Sequence, residues 1–179
     1  MIARRLTPLL RRSKKSVLLL GPRQTGKSTL VHALQPKLTI NLAHEPTYLQ
    51  FARNPAELEE RLAAGTFRTV FIDEIQRLPS LLNTIQALVD AGRPPIKYYL
   101  TGSSARKLKR GGANLLPGRL HTYHLGPLVA SELAYQMNTS RALETGTLPG
   151  IWTEADARER RKTLQTYAAT YLKEEIQAE

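Results

Sequence analysis

The sequence predicts an α/β fold in which helices cover a parallel sheet. Short apolar runs bounded by turn residues alternate with segments whose apolar residues recur at helical spacing. Alternating strands and helices of this kind form a parallel sheet. The chain has 179 residues, of which 41% are hydrophobic, and this suits one globular domain with a sizeable core.

Each element is predicted from its local pattern. The strands are expected at 16–20, 38–42, 69–73, 96–101 and 121–125, where apolar runs end in turn residues. Helices are expected at 2–13, 27–35, 55–64, 81–89 and 155–176. Pro79-Ser80 is a start signal for the helix at 81–89, and Gly92 is a stop signal. Residues 102–118, which contain Gly111-Gly112 and Pro117-Gly118, are expected to form an irregular loop at the rim of the sheet.

A phosphate-binding loop follows the first predicted strand directly. The pattern G-x-x-x-x-G-K-[ST], the Walker A motif, is filled by Gly21, Pro22, Arg23, Gln24, Thr25, Gly26, Lys27 and Ser28, with Thr29 next. Glycines at both ends let the intervening amides turn towards the α and β phosphates of ATP. Lys27 is expected to reach the β and γ phosphates, and the Ser28 hydroxyl to contact Mg²⁺. An ordinary glycine-rich turn would need neither of those two side chains.

Two carboxylates end the strand at 69–73. Asp73 at the strand tip is expected to hold Mg²⁺ through its water shell, as a Walker B acid does. Glu74 follows it and, on an extended chain, faces another direction, so it can polarise the attacking water. Both acids could instead belong to a solvated strand end or to a first helical turn.

Two further polar groups are candidates for the site. The strand at 96–101 ends in Thr101, and Ser103 and Ser104 follow it. One of these three hydroxyls could contact the γ-phosphate or the attacking water. Residues of these types are also common in simple turns. Arg119, just before the fifth strand, could act as an arginine finger, either in its own site or in that of a neighbouring subunit.

Composition bears on partners and location. The formal charge of +11 concentrates in clusters at 4–15, 106–110 and 158–162, which admits nucleic acid as a partner. Solvated surface charge is the alternative. The longest apolar run is about five residues, far below the ~20 needed to span a bilayer, so no membrane is expected. There is no cysteine, and the four histidines show no metal-ligand spacing. A cytoplasmic location is expected.

A family resemblance extends across most of the chain. The sequence resembles the AAA+-type ATPases of bacteria and archaea that carry an uncharacterised C-terminal domain. The resemblance rests on Gly21–Lys27, Asn41-Leu42, Phe71–Gln76 with Pro79, Leu100–Ser104, Gly118-Arg119, Leu125–Leu128 with Glu132, Gly146 with Pro149-Gly150, and Thr170–Leu172. It implies a P-loop NTPase three-layer sandwich with strand order 5-1-4-3-2 and Glu74 as catalytic base.

The expected organisation and function follow from both arguments. Residues 1–150 are expected to form the P-loop ATPase domain, and 151–179 a helical segment that starts a truncated C-terminal region. The function expected is binding of ATP and Mg-dependent hydrolysis. The alternatives are a P-loop kinase, with residues 106–119 as a basic lid, and a module that binds nucleotide or DNA without turnover. Partners beyond ATP include self-association or another protein.

Overall fold

The chain folds into two compact units. The computed structural model describes residues 2–92, 95–103, 108 and 116–172. The sheet unit comprises Leu6–Pro22 and Lys27–Leu125, and the second unit comprises Met1–Arg5, Arg23–Gly26 and Gly126–Glu179. The domain boundary expected after residue 150 stays a prediction.

The sheet unit contains a parallel five-stranded sheet. Its strands are β1 (Ser16–Leu20), β2 (Leu38–Asn41), β3 (Thr69–Asp73), β4 (Lys97–Gly102) and β5 (Leu120–His124). Their order is β2-β3-β4-β1-β5, which is the expected 5-1-4-3-2 read from the other edge. Each predicted strand is present, and its ends differ from the prediction by one residue at most. The expected α/β, P-loop NTPase-like sheet is therefore confirmed.

Helices pack on both faces of this sheet. They are α1 (Leu6–Arg12), α2 (Lys27–His32), α3 (Glu45–Arg53), α4 (Glu57–Ala63) and α5 (Leu81–Ala91). Val17 and Leu19 of β1 point into one core with residues of α1 and α2, whereas Leu18 and Leu20 point into the other core with residues of α3, α4 and α5. Both cores are needed because every residue of β1 is buried, so both faces of the central strand must be covered.

Helix α3 was missed by the sequence pattern. It has one buried residue, Phe51, and its few apolar residues are too short a pattern to indicate a helix on their own. Pro46 lies in its first turn, where the absent N–H costs no hydrogen bond. The proline therefore fits the start of a helix.

The second unit is helical in its described part. A 3₁₀ turn (Ala130–Leu133) precedes α6 (Thr139–Thr145), α7 (Pro149–Thr153) and α8 (Ala157–Tyr167). The side chain of Asp156 accepts the N–H groups of Arg158 and Glu159 and so caps α8. The helix expected at 155–176 is α-helical only to Tyr167 and continues as a π turn to Leu172; residues 173–176 lie outside the described ones.

Candidate functional site

The loop after β1 is shaped by its two glycines. A Cβ on Gly21 would lie 2.1 Å from the Leu125 carbonyl oxygen, so no other residue fits there without displacing backbone. The adjacent strands force this approach, since the Leu125 N–H donates to the Leu20 carbonyl at 2.8 Å. Gly26 has φ of +86° and Gln24 has φ of 61°, so the loop bends twice through left-handed backbone. Bent backbone of this kind can bring successive N–H groups into an anion-binding concavity.

Lys27 begins α2 and is folded over the start of the loop. Its side chain donates to the carbonyl oxygens of Gly21 and Pro22, each at 2.8 Å, and the residue is 5% exposed. These hydrogen bonds hold the Lys27 ammonium group beside the first two residues of the loop. A positive charge at this point adds to the partial charge of the helix N-terminus.

Two hydroxyl groups and one carboxylate meet at the carboxyl ends of the strands. Asp73, at the end of β3, accepts a hydrogen bond from the Ser28 hydroxyl at 3.0 Å and another from the Thr101 hydroxyl of β4. Asp73 and Thr101 are both buried. Sheet order explains the meeting, because β4 lies between β3 and β1, whose following loop leads into α2. Oxygen atoms of this kind are the ligands that Mg²⁺ prefers.

Glu74 leaves the strand in a way that the sequence did not suggest. Its φ is 58°, in the left-handed region, which is uncommon for a residue with a side chain. The different direction of Glu74 and Asp73 was expected from strand alternation, but the chain in fact turns at Glu74. The Glu74 N–H donates to the Thr101 hydroxyl at 3.3 Å, which ties this turn to β4. Strained backbone that is held by neighbours is found often at functional sites.

Gln76 links Glu74 to the end of β4. Its side-chain N–H donates to the Glu74 carboxylate, and its side-chain oxygen accepts the Ser103 N–H at 3.3 Å. Sequence reasoning gave Gln76 no role, although it lies within the Phe71–Gln76 motif. Its position two residues after the second acid is the signal that could have found it.

The hydroxyl candidates at the end of β4 differ in their contacts. Thr101 contacts Asp73, whereas the Ser103 hydroxyl is buried and has no hydrogen-bond partner among the described residues. Ser104 lies outside the described residues. A buried hydroxyl without a partner at this edge of the sheet fits a polar ligand, because such a group costs about 1–3 kcal/mol when its hydrogen bond is unmade.

The remaining residues of the loop belong to the second unit or face solvent. Arg23 and Gln24 are exposed, whereas Thr25 is fully buried. All three residues belong to the second unit. There the Tyr167 hydroxyl donates to the Arg23 carbonyl at 3.3 Å. Thr29 is exposed on α2.

Arg119 is not brought to this site in its own chain. It precedes β5, whose first residue pairs with Ser16 at the start of β1. Arg119 therefore lies near the amino-terminal ends of these strands, whereas the loop follows the carboxyl end of β1. Its guanidinium binds both carboxylate oxygens of Asp90, at 2.5 and 2.8 Å. This hydrogen-bonded ion pair lowers the pKa of Asp90 and raises that of Arg119. A role for Arg119 in the site of a neighbouring copy stays a prediction.

The described residues contain neither a metal-binding cluster nor a membrane-spanning helix. No group of three or more His, Asp or Glu side chains that could hold a metal ion occurs in the described part of the chain. This is compatible with Mg²⁺, which is commonly held by one or two protein groups together with phosphates and water. None of the described helices is long and apolar enough to cross a membrane.

Comparison with known proteins identifies the family. Residues 13–134 match the profile of a family described as the AAA domain. The chain belongs to the AAA domain family. This match spans β1 to β5 with the loop and both acids, and it indicates a nucleotide-binding protein of the P-loop ATPase type, as the resemblance implied.

Two curated relatives are themselves uncharacterized proteins. One is from Mycobacterium bovis and one from Mycobacterium tuberculosis, and each is 30% identical to this chain over 166 residues. The aligned part covers 89% of this chain and 36% of each relative. The chain therefore spans little more than a third of the length of these relatives, which leaves the activity and partners of the whole protein to proposals.

Proposed function

We propose that this domain binds ATP and hydrolyses it in a Mg-dependent reaction. The observation that carries the proposal is the meeting of Lys27, Ser28, Asp73 and Glu74 at the carboxyl edge of the sheet. It combines a cation, two oxygen ligands and a second acid, which are the parts that nucleotide hydrolysis requires. Membership of the AAA domain family supports the nucleotide-binding part.

Each side chain has a separate task in this proposal. The loop amides and Lys27 bind the phosphates, and they act on ground and transition states alike. Ser28 and Asp73 would hold Mg²⁺, which neutralises phosphate charge when bound. Glu74 takes a proton from the attacking water. Gln76 keeps the Glu74 carboxylate in place through the side-chain hydrogen bond. Thr101 restrains both acids, because its hydroxyl donates to Asp73 and accepts from the Glu74 N–H.

Hydrolysis is favoured over transfer to a bound acceptor. A second acid beside Asp73 suits activation of water, and its separate restraint by Gln76 leaves Asp73 for the metal. The kinase alternative rested on residues 106–119, most of which lie outside the described ones. Phosphate release without an added acceptor separates the two activities, whereas affinity without turnover would select a passive binder.

Glu74→Gln tests the proposal. The amide keeps size and polar atoms but cannot take a proton, so turnover should fall by roughly 10²-fold or more while nucleotide affinity is retained. Asp73→Asn should in addition change the Mg²⁺ dependence, because it removes a charge from a ligand. The measurements are steady-state phosphate release and calorimetric nucleotide affinity at saturating Mg²⁺.

Glu144→Gln is the matched control, since Glu144 is a surface acid paired with Arg161 at 2.9 Å. It should behave as the wild-type chain does. Wild-type turnover in Glu74→Gln would assign Glu74 to a structural strand end and bring the passive binder forward.

A further inference from the structure

Arg4 makes a set of hydrogen bonds within the second unit. Its Nε donates to the Glu132 carboxylate at 3.1 Å and one terminal nitrogen donates to the Thr25 carbonyl at 2.7 Å. The other terminal nitrogen donates to the carbonyls of Gly126 and Pro127, at 2.7 and 3.3 Å. The side chains of Arg4 and Glu132 are only 9% and 4% exposed. One guanidinium thus joins three separate stretches of the chain.

Glu132 is itself fixed from several directions. The carboxylate oxygen that Arg4 binds also accepts the Arg5 N–H at 2.8 Å. The second oxygen accepts the Val129 N–H at 3.2 Å and so caps the 3₁₀ turn. Burial raises the pKa of Glu132, but the hydrogen bonds from Arg5, Val129 and Arg4 outweigh it, and the net pKa lies below its ordinary value. The acid is therefore a fixed anionic anchor for Arg4.

Thr25 is the point at which this set of bonds reaches the phosphate-binding loop. It is fully buried and lies two residues before Lys27. The neighbouring residues Gln24 and Gly26 both have positive φ, so small rotations at either would redirect the loop amides. A carbonyl held between these two bends restricts such rotations.

We propose that Arg4 is a positioning residue for nucleotide binding, which holds the phosphate-binding loop in shape through the Thr25 carbonyl with Glu132 as its anchor. The inference rests on the proposed function. A guanidinium is required because its planar fork can serve acceptors in several directions at once, whereas an ammonium is a point charge on a flexible stem. Arg4 touches neither the nucleotide nor the reacting atoms in this proposal.

The proposal predicts a particular kinetic signature. Loop amides hold phosphates in the ground state and in the transition state alike, so a loosened loop weakens binding uniformly. Loss of uniform binding raises KM and leaves kcat nearly unchanged. Glu74→Gln is expected to do the reverse, lowering turnover while nucleotide affinity is retained.

Arg4→Lys is the test, and Arg5→Lys is the matched control. The Arg5 side chain makes an exposed hydrogen bond to the Ser131 hydroxyl at 3.2 Å, so its replacement should change nothing. Arg4→Lys should weaken binding of a fluorescent ATP analogue about tenfold, as expected when a net interaction of hydrogen-bond size is lost, with kcat within about twofold of wild type. Hydrogen exchange of the peptide covering residues 22–28, measured without nucleotide, should become faster than in the control.

Several outcomes decide between the explanations. Unchanged affinity and unchanged exchange in Arg4→Lys would overturn the proposal, and so would a fall in kcat with KM unaltered. If Arg4→Lys does not fold, Glu132→Gln supplies the test, because it removes the charge of the anchor and keeps an acceptor oxygen; faster exchange over residues 22–28 supports the proposal, and wild-type exchange rejects it. If the wild-type chain binds no nucleotide, the proposed function fails, while the exchange comparison still decides whether Arg4 holds the shape of the loop.

Discussion

At the residue scale, the charged groups of the candidate site are held by different sets of contacts. Lys27 contacts loop carbonyls, Asp73 accepts hydrogen bonds from two hydroxyls, and Glu74 is held by Gln76 and by the hydroxyl of Thr101. Each charged group therefore has its own restraint. Substitutions at these positions should give different signatures, and this makes the roles separable by experiment.

Lys27→Ala should remove most nucleotide binding. The ammonium supplies a charge-assisted contact to phosphate, so its loss should cost on the order of 2–3 kcal/mol. Calorimetric titration with Mg-ATP measures this cost. Lys37→Ala is the control, since Lys37 is an exposed lysine of the same unit. Equal affinity of Lys27→Ala and the control would end the assignment of the loop to phosphate binding.

The residue scale also shows where sequence reasoning stops. Lys27 and Ser28 could be predicted because the Walker A pattern fixes their spacing, and Asp73 and Glu74 because they follow an apolar strand. Gln76 was not assigned a role, because its function depends on where the end of β4 lies. The turn at Glu74 also needed coordinates, since a left-handed φ at a glutamate leaves no mark in composition or periodicity.

At the element scale, strands were easier to predict than helices. Every residue of β1 is buried, and β3 is nearly as enclosed, so their apolar runs are unbroken in the sequence. Helix α3 buries one residue and left no such run. Arg4 was taken as part of a basic cluster, because its burial depends on Glu132, which lies 128 residues away. Long-range pairs of this kind cannot be inferred from local pattern.

The 3₁₀ turn at Ala130–Leu133 should lose stability in acid. The pKa of Glu132 in the folded chain is below its ordinary value of 4.5, so the unfolded chain binds more protons between the two values. The stabilising contribution of Glu132 is therefore fully present above a pH of about 4.5 and is lost as the pH falls through the folded pKa.

Urea unfolding between pH 3 and pH 6 measures this contribution. The free energy of unfolding should differ most between wild type and Glu132→Gln at the upper end of this range, and the difference should shrink in acid. Glu144→Gln, at an exposed ion pair, serves for comparison. A difference that stayed constant with pH would show that the Glu132 charge does not stabilise the fold.

At the scale of the whole molecule, part of the charge of +11 is already paired within the chain. Arg4 is buried in an ion pair, Arg161 is paired with Glu144, and the cluster at 106–110 lies mostly outside the described residues. Binding of nucleic acid thus stays a prediction. The sequence places no aromatic residue within these clusters, which argues against base stacking on them.

Exposed apolar side chains bear more directly on association. Leu143 is 84% exposed and Tyr135 is 79% exposed, both in the second unit. By contrast, Leu164, Tyr167 and Tyr171 are half-buried, and the Arg23 guanidinium lies 5.9 Å from the Tyr171 ring. Leu143 and Tyr135 are therefore the better candidates for an apolar contact in this unit.

We expect residues 1–179 to associate weakly with a second copy through Leu143 and Tyr135. A leucine side chain contributes about 1.5–3 kcal/mol when it moves from water into a fully buried position, so Leu143→Ser should weaken association by about tenfold or more. Sedimentation over a range of concentrations measures the weight-average mass. Leu9→Ser is the matched control, because Leu9 is 52% exposed in the sheet unit and lies outside the proposed contact. A wild-type chain that stayed monomeric at the highest concentration would exclude this contact, and equal effects of the two substitutions would show that association is non-specific.

If association also raised phosphate release, Arg119 of a neighbouring copy would become the first candidate for the group responsible, because in its own chain it lies near the opposite ends of the strands.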